Sequence, residues 1–220
     1  MGNPPVPIQM MIVFVVALTT ALLAVPLAAA VGLAVGGPLV DQPRPGELQR
    51  RPIGRTGGYG IIVAFFAALL VSIPITDRSH DLSEYGRLMG LAFGAALLIP
   101  FAAWDDARRL PPLPQLIAQF GCAALPVLLG VRIERIANFD IARVAPWLIA
   151  PLSVIWIVGM INALNWLDTM DGLAGGVSLI GALVLFAASL LQYGPEGRFA
   201  AQQNSIALLG LALGGACLGF

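Results

Sequence analysis

Long apolar runs separated by short polar segments dominate the pattern of the chain. The runs lie at about residues 8–36, 57–75, 88–104, 116–130, 147–161, 177–193 and 206–220. A helix needs about 20 predominantly apolar residues to cross the hydrocarbon core of a bilayer, and most of the runs are near or beyond that length. The pattern therefore predicts an all-α polytopic membrane protein with about seven transmembrane helices.

One segment between the fourth and fifth runs departs from this pattern. Residues 131–136 alternate between apolar and charged side chains, and a turn signal follows at residues 138–140. Alternation at every second residue is typical of a strand with one buried face. We therefore expect a short interfacial β-hairpin near residues 131–143.

The composition supports a membrane location and does not favour a nucleic-acid partner. Of the 220 residues, 58% are hydrophobic and 11% are charged, whereas soluble domains carry about 25% charged residues. The formal net charge is zero and no basic block is present, so nothing favours nucleic acid. The chain also has no lysine. Arginine, metal ions and backbone N–H groups are then left to bind any phosphate.

A polar run follows the fifth apolar run. Its amides and carboxylates recur at every third position, at Asn162, Asn165, Asp168 and Asp171. On a helix such positions lie roughly on one face, so that four oxygen-bearing side chains converge. Mg²⁺ prefers such oxygens and keeps positions open for substrate phosphates. The alternative is an ordinary polar loop capped by Asn, Asp and Gly.

Two adjacent carboxylates, Asp105 and Asp106, end the third run. Neighbouring carboxylates repel each other unless a cation or a proton is shared, so the pair implies a metal, an arginine or a proton nearby. The alternative is a stop-transfer flank, in which Arg108 and Arg109 balance the two negative charges.

The first loop, residues 41–58, is rich in Pro, Gly and Arg and cannot be a continuous helix. Its arginines, Arg44, Arg50, Arg51 and Arg55, favour an anionic neighbour. From this loop alone, lipid headgroups are favoured over a substrate pyrophosphate.

Counting the crossings places three polar groups on one face of the membrane: the arginine-rich loop, the aspartate pair and the Asn/Asp run. One composite site is the expected result. The positive-inside rule does not decide which face is internal, because six arginines fall on each side. Only the clustering near the first run favours this face as the internal one.

Three motifs together resemble a known family. They are Asp105-Asp106, the pattern N-x-x-N-x-x-D-x-x-D-G-L-A at residues 162–174, and P-I-x-R-x-G-G at residues 52–58 after Asp41. They resemble the polyprenyl-phosphate N-acetylhexosamine-1-phosphate transferases, glycosyltransferase family 4. This superfamily includes the enzymes that start enterobacterial common antigen, O-antigen and wall teichoic acid, and the phospho-muramoyl-pentapeptide translocase. The resemblance covers nearly the whole chain.

The resemblance implies an activity and a place for it. Such enzymes transfer a sugar phosphate from a UDP-sugar to undecaprenyl phosphate and release UMP, at the cytoplasmic face of the bacterial inner membrane. By position, Asp105 and Asp106 match the pair assigned to catalysis or metal handling. Asn165 matches a ligand of Mg²⁺, with Mn²⁺ as the alternative ion. The residues expected to bind substrate are Asn162, Asp168, Asp171 and Arg55.

Several positions depart from the family pattern. Thr169 stands where the family commonly has Gly, and Glu47 and Gln49 stand where it has a Lys-x-His. The later Phe-Met-Gly-Asp-type motif and the His-rich loop beyond it are absent from the sequence. We therefore expect residues 1–220 to form a single transferase domain that is incomplete at the C-terminus and nearly inactive alone.

The sequence leaves two alternatives open, one for the donor sugar and one for the class of protein. The muramoyl-pentapeptide translocases typically carry a lysine soon after the aspartate pair, whereas Arg108-Arg109-Leu110-Pro111 follows here. This difference favours N-acetylglucosamine-1-phosphate. The alternative class is a cation-coupled transporter, but such sites lie near the bilayer midplane, whereas the polar clusters here lie at the ends of runs.

Overall fold

The computed structural model describes residues 6–43, 51–76, 82–108, 110–168, 172–191 and 201–220. Within these ranges the α-helices are α1 Val6–Val35, α2 Gly57–Ile75, α3 Leu82–Arg108, α4 Pro112–Leu128, α5 Ile141–Val144, α6 Ile149–Leu167, α7 Leu173–Leu190 and α8 Ala201–Leu218. Two short antiparallel pairs complete the described structure: β1 Val40–Asp41 with β2 Ile53–Gly54, and β3 Arg135–Ile136 with β4 Phe139–Asp140.

The prediction of an all-α polytopic membrane protein is confirmed. Helices long and apolar enough to cross a membrane are Val6–Val35, Gly57–Ile75, Tyr85–Asp105, Pro146–Leu167 and Leu173–Leu190. Two shorter apolar helices, Pro112–Leu128 and Asn204–Leu218, bring the described total to the predicted seven.

The predicted hairpin is also confirmed. Arg135 pairs with Asp140 and Ile136 with Phe139, and Ala137 takes a positive φ of 50° in the turn between them. Asp140 then caps α5, because its Oδ1 accepts a hydrogen bond of 3.3 Å from the N–H of Arg143. The β1–β2 pair was not expected, since its strands are only two residues long and lie in a loop rich in Pro and Gly.

The chain divides into two compact units. The first comprises Met1–His80 and Met170–Phe220, and it contains α1, α2, α7, α8 and the β1–β2 pair. The second is Asp81–Thr169, with α3, α4, α5, α6 and the β3–β4 hairpin. The expectation of a single domain stays a prediction.

Small residues bring α1, α2 and α8 of the first unit together. One cluster contains Ala17, Ala68, Ala207 and Ala212 with Met10, Val13 and Leu208. A second cluster contains Ala21, Ala64 and Ala216. Lipid tails are as apolar as leucine, so membrane helices gain from close backbone approach rather than from escape from water. The alanines permit that approach.

Two glycines show how close the helices are. A Cβ built on Gly60 of α2 would lie 2.5 Å from Cα of Val25 in α1. A Cβ on Gly219 would lie 2.6 Å from Cβ of Ala21 and 2.9 Å from the carbonyl oxygen of Leu18. No side chain fits at either position unless the helix backbones move apart.

In the second unit, α4 packs against both α3 and α6. Gly94 of α3 lies against α4 so closely that a Cβ there would be 3.1 Å from Cδ of Pro126 and 3.2 Å from the carbonyl oxygen of Cys122. The hairpin segment is tied to α6 by Ser153, whose Oγ accepts a hydrogen bond of 2.9 Å from the N–H of Ile133. The first contact holds α3 close to α4, and the second holds the segment that follows α4 against α6.

Gly60→Ala tests the close contact between α1 and α2. We expect a loss of about 1–3 kcal/mol in the free energy of unfolding, the usual cost of overpacking. Gly181→Ala in α7 is the matched control, because nothing lies within 4 Å of a Cβ there. That change should be neutral or stabilise by up to about 1 kcal/mol. Thermal unfolding in detergent measures both, and equal effects would contradict the proposed contact.

Candidate functional site

Helices α3, α4 and α6 of the second unit line a cavity of about 240 Å³ that opens to the surface. Its lining residues are Leu98, Phe101, Ala102, Asp105, Gln115, Gln119, Ile161 and Asn165. Half of these side chains are apolar and half are polar. The cavity brings together Asp105 and Asn165, which the sequence places in two separate motifs.

Two hydrogen bonds hold the carboxylate of Asp105. Its Oδ1 accepts from the backbone N–H of Leu110 at 2.9 Å, and its Oδ2 accepts from Nε2 of Gln115 at 3.0 Å. The first bond joins the end of α3 to the segment that follows it, and the second joins α3 to α4. Each carboxylate oxygen has a further lone pair. The fixed carboxylate can therefore still accept a hydrogen bond or bind a metal ion.

Asn162 contacts Gln119, which lines the cavity. Its Nδ2 donates to Oε1 of Gln119 at 2.6 Å and to the carbonyl oxygen of Val158 at 2.8 Å. Gln119 lines the cavity and is only 4% exposed. Asn162 thus links α6 to α4, as Gln115 links α4 to α3.

Asp168, the third predicted residue of the polar run, lies where the helix ends. The last residue of α6 is Leu167, and exposed Asp168 leaves the helix with a ψ of 52°. The helical face that the three-residue spacing predicts therefore stops before Asp168. Asp171 lies outside the described residues. Gly172 precedes α7 with a left-handed φ of 75°, which glycine adopts without strain.

The side chain of Asp106 also lies outside the described part of the structure, although its backbone belongs to α3. The role expected for Asp106 therefore stays a prediction.

Arg55 lies in the first unit, immediately after β2. Its guanidinium donates to Oδ1 of Asp41 at 2.9 Å, and its backbone N–H donates to the carbonyl oxygen of Leu39 at 2.8 Å. The side chains of the ion pair are 35% and 38% exposed. A guanidinium has five N–H donors, so Arg55 retains donors for another anion. Arg44 and Arg50 of the same loop lie outside the described residues.

The donors around the cavity fit a hard cation. No group of three or more His, Cys, Asp or Glu side chains that could hold a metal occurs among the described residues. Asp105 supplies one carboxylate, and Gln115 and Asn165 supply amide oxygens. This set suits Mg²⁺, which retains several water molecules and binds substrate phosphates in addition to one or two carboxylates.

Gln115 and Gln119 are the site residues that the sequence analysis missed. They lie four residues apart on α4 and therefore on one face of the helix. A signal was present, because polar side chains inside an apolar span are costly unless they have partners. The partners themselves are not evident from the sequence.

Comparison with known proteins finds one matching family and several relatives. The model of glycosyl transferase family 4 matches residues 88–220. A probable undecaprenyl-phosphate N-acetylglucosaminyl 1-phosphate transferase of Bacillus subtilis is 29% identical over 189 residues, which cover 83% of this chain and 49% of the relative. A decaprenyl-phosphate N-acetylglucosaminephosphotransferase of Mycolicibacterium smegmatis is 27% identical over 196 residues, with coverage of 86% and 47%.

A third relative is named for a different sugar. The phospho-N-acetylmuramoyl-pentapeptide-transferase of Synechococcus sp. (strain JA-2-3B'a(2-13)) is 42% identical over 74 residues, which cover 34% of this chain and 18% of the relative. The chain spans about half the length of the two N-acetylglucosamine relatives.

Asp41→Asn tests whether the Arg55 ion pair matters for stability. The pair is partly exposed and screened by solvent, so we expect the free energy of unfolding to fall by less than about 1 kcal/mol. Arg55→Gln should have a similarly small effect. Thermal unfolding of both purified variants provides the measurement. A loss of several kcal/mol in either variant would show that Arg55 is chiefly a structural residue.

Proposed function

The chain belongs to glycosyl transferase family 4, and on this premise we propose that the protein transfers N-acetylglucosamine-1-phosphate from a UDP-sugar to undecaprenyl phosphate and releases UMP. Such a transfer starts the synthesis of a cell-envelope polysaccharide. The relatives' names support polyprenyl-phosphate sugar-1-phosphate transfer in general. The observation that carries the proposal is the cavity in which Asp105 and Asn165 meet between apolar helices.

The reaction makes one P–O bond and breaks another. An oxygen of the lipid phosphate attacks the sugar-bearing phosphorus of the UDP-sugar, and the bond from that phosphorus to the bridging oxygen breaks as UMP leaves. Both substrates are anionic, so the main requirements are in-line positioning and neutralisation of negative charge. A site with fixed polar groups beside an apolar wall meets these requirements for an amphiphilic substrate.

The residues of the cavity have separate tasks in this proposal. Asp105 and Asn165 would hold Mg²⁺, with Oε1 of Gln115 as a further oxygen. The ion, when bound, would neutralise phosphate charge. Leu110 and Gln115 keep the Asp105 carboxylate in one orientation. On the apolar side, Leu98, Phe101 and Ile161 would exclude water and contact the first part of the lipid chain.

The protein is a multi-pass membrane protein, and we place its site at the cytoplasmic face of the inner membrane. The arginines of the first loop support this orientation, because positively charged loops favour the internal side.

Two donors distinguish the candidates within the family. The full-length product of the gene, purified in detergent with undecaprenyl phosphate and Mg²⁺, should release UMP from UDP-N-acetylglucosamine. UDP-N-acetylmuramoyl-pentapeptide is the comparison, because the Synechococcus relative favours it as the second candidate. Release from the second donor alone would replace the N-acetylglucosamine assignment. Release from neither donor would refute the proposed function.

Asp105→Asn and Asp106→Asn separate chemistry from packing in the aspartate pair. Asparagine preserves size and, at position 105, an acceptor for the N–H of Leu110, so both variants should insert and fold normally. We expect each rate of UMP release to fall by at least about a hundredfold, the usual scale for a positioned acid, base or charge stabiliser. If both variants retain rates near wild type, the pair is only a helix flank.

Asn165→Ala tests the metal assignment. The variant should need more Mg²⁺ for half-maximal UMP release, because one of few protein ligands is lost. Raised Mg²⁺ should restore much of the rate. Asn138→Ala, an exposed change in the hairpin turn, is the control and should leave the Mg²⁺ requirement unaltered. A requirement that does not move in Asn165→Ala would remove this residue from the metal site.

A further inference from the structure

The hydrogen bonds between α6 and α4 fix the orientation of one buried amide. The carbonyl oxygen of Val158 can only accept a hydrogen bond, so the side-chain atom of Asn162 that contacts it is Nδ2. The same nitrogen has one further hydrogen, and it donates to Gln119. The atom of Gln119 that faces Asn162 must therefore be Oε1. The main chain of α6 thus sets the direction of the Gln119 amide.

This orientation leaves Nε2 of Gln119 for another partner. In the described part of the chain, nothing accepts a hydrogen bond from this nitrogen, although the residue is only 4% exposed. Gln119 lines the cavity beside Asp105 and Asn165. The nitrogen is not fully buried, and the residue lines the cavity. A ligand or a water molecule in the cavity can therefore accept its hydrogen bond.

Gln115 has the opposite arrangement. It gives an N–H to Asp105, which leaves Oε1 as its remaining acceptor. The polar lining of the cavity thus combines acceptors, from Asp105 and Gln115, with an N–H donor from Gln119, while the amide of Asn165 offers both an oxygen and an N–H. The sequence has no lysine and the residues that line the cavity include no arginine, so a phosphate bound here depends on such neutral donors and on metal.

We propose that Gln119 is a ligand-binding residue of this cavity, which donates a hydrogen bond from Nε2 to a phosphoryl oxygen. This inference rests on the proposed function, since both of its substrates carry phosphate. Asn162 is then a positioning residue for Gln119. The lipid phosphate and the nucleotide-sugar diphosphate share the recognised chemistry, and the experiment below distinguishes them.

Three variants of the full-length protein test the assignment. Gln119→Glu keeps an oxygen that can accept from Asn162 but replaces the donor with a negative charge. Gln119→Met has a similar length and removes both functions. Asn162→Asp replaces no residue that lines the cavity, but its carboxylate can only accept hydrogen bonds. Gln119 must then turn its N–H groups toward α6 and its oxygen toward the cavity.

The KM of UMP release is measured separately for undecaprenyl phosphate and for UDP-N-acetylglucosamine. In Gln119→Glu we expect the KM to rise about tenfold or more for the substrate whose phosphate binds here, since a hydrogen bond to a charged group is lost. Gln119→Met should raise the same KM by a smaller factor. Asn162→Asp should raise the KM of that substrate too. The KM of the other substrate should remain near its wild-type value. The substrate whose KM rises is then the one whose phosphate binds at Gln119.

The melting temperature separates binding from folding. Both variants should melt below wild type, Gln119→Glu because it adds a charge beside Asp105 at a nearly buried position and Gln119→Met because Asn162 loses its acceptor. If folded Gln119→Glu and Gln119→Met both keep wild-type KM values for the two substrates, the inference is wrong. The proposed function would still stand in that case, because the wild type releases UMP.

A direct binding measurement covers the case in which the wild type releases no UMP and the proposed function fails. Equilibrium titration with undecaprenyl phosphate, and separately with UMP, should then still show weaker binding of one probe by Gln119→Glu. Equal binding by wild type and variant would overturn the inference, as would a wild-type protein that binds neither probe.

Discussion

Hydrogen bonds inside an apolar environment govern the second unit. A bilayer core offers no water to polar groups, so each buried amide or carboxylate must find its partner within the protein. Asp105 accepts a hydrogen bond from Gln115, and Asn162 donates to Gln119 and to the main chain of its own helix. Both contacts converge on one face of α4. The polar side chains of α3 and α6 are thereby held at one cavity through the helix that packs against both.

The two units use different means to join helices in lipid. In the first, alanine and glycine let α1, α2 and α8 approach until backbone atoms touch, and dispersion supplies the attraction. In the second, side-chain amides cross between helices and determine direction as well as distance. A close apolar contact tolerates small rotations of a helix, but an amide pair does not. The directional contacts occur where the proposed chemistry needs fixed groups.

Much of the fold follows from the sequence because membrane spans depend on local composition. The second apolar run coincides with α2, and the alternating residues form the expected hairpin. The meeting of Asp105 and Asn165 was also expected, from counting crossings. The glutamines of α4 were missed because their meaning depends on a partner such as Asn162, which lies 43 residues away in the sequence. The end of α6 at Leu167 was missed because regular spacing alone does not show where a helix stops.

The close approach of α1 to its neighbours divides the surface of that helix into two chemically different sides. On one side, Ala17 and Ala21 are fully buried against other helices, and a larger side chain would separate the backbones. On the other, Leu23 and Leu27 are 75% and 66% exposed, where lipid chains adapt to whatever shape they meet. We therefore expect α1 to tolerate larger side chains on one side only. On the side that faces lipid, an apolar residue of any size can be accommodated. On the side that packs against other helices, the volume of the side chain is the restriction.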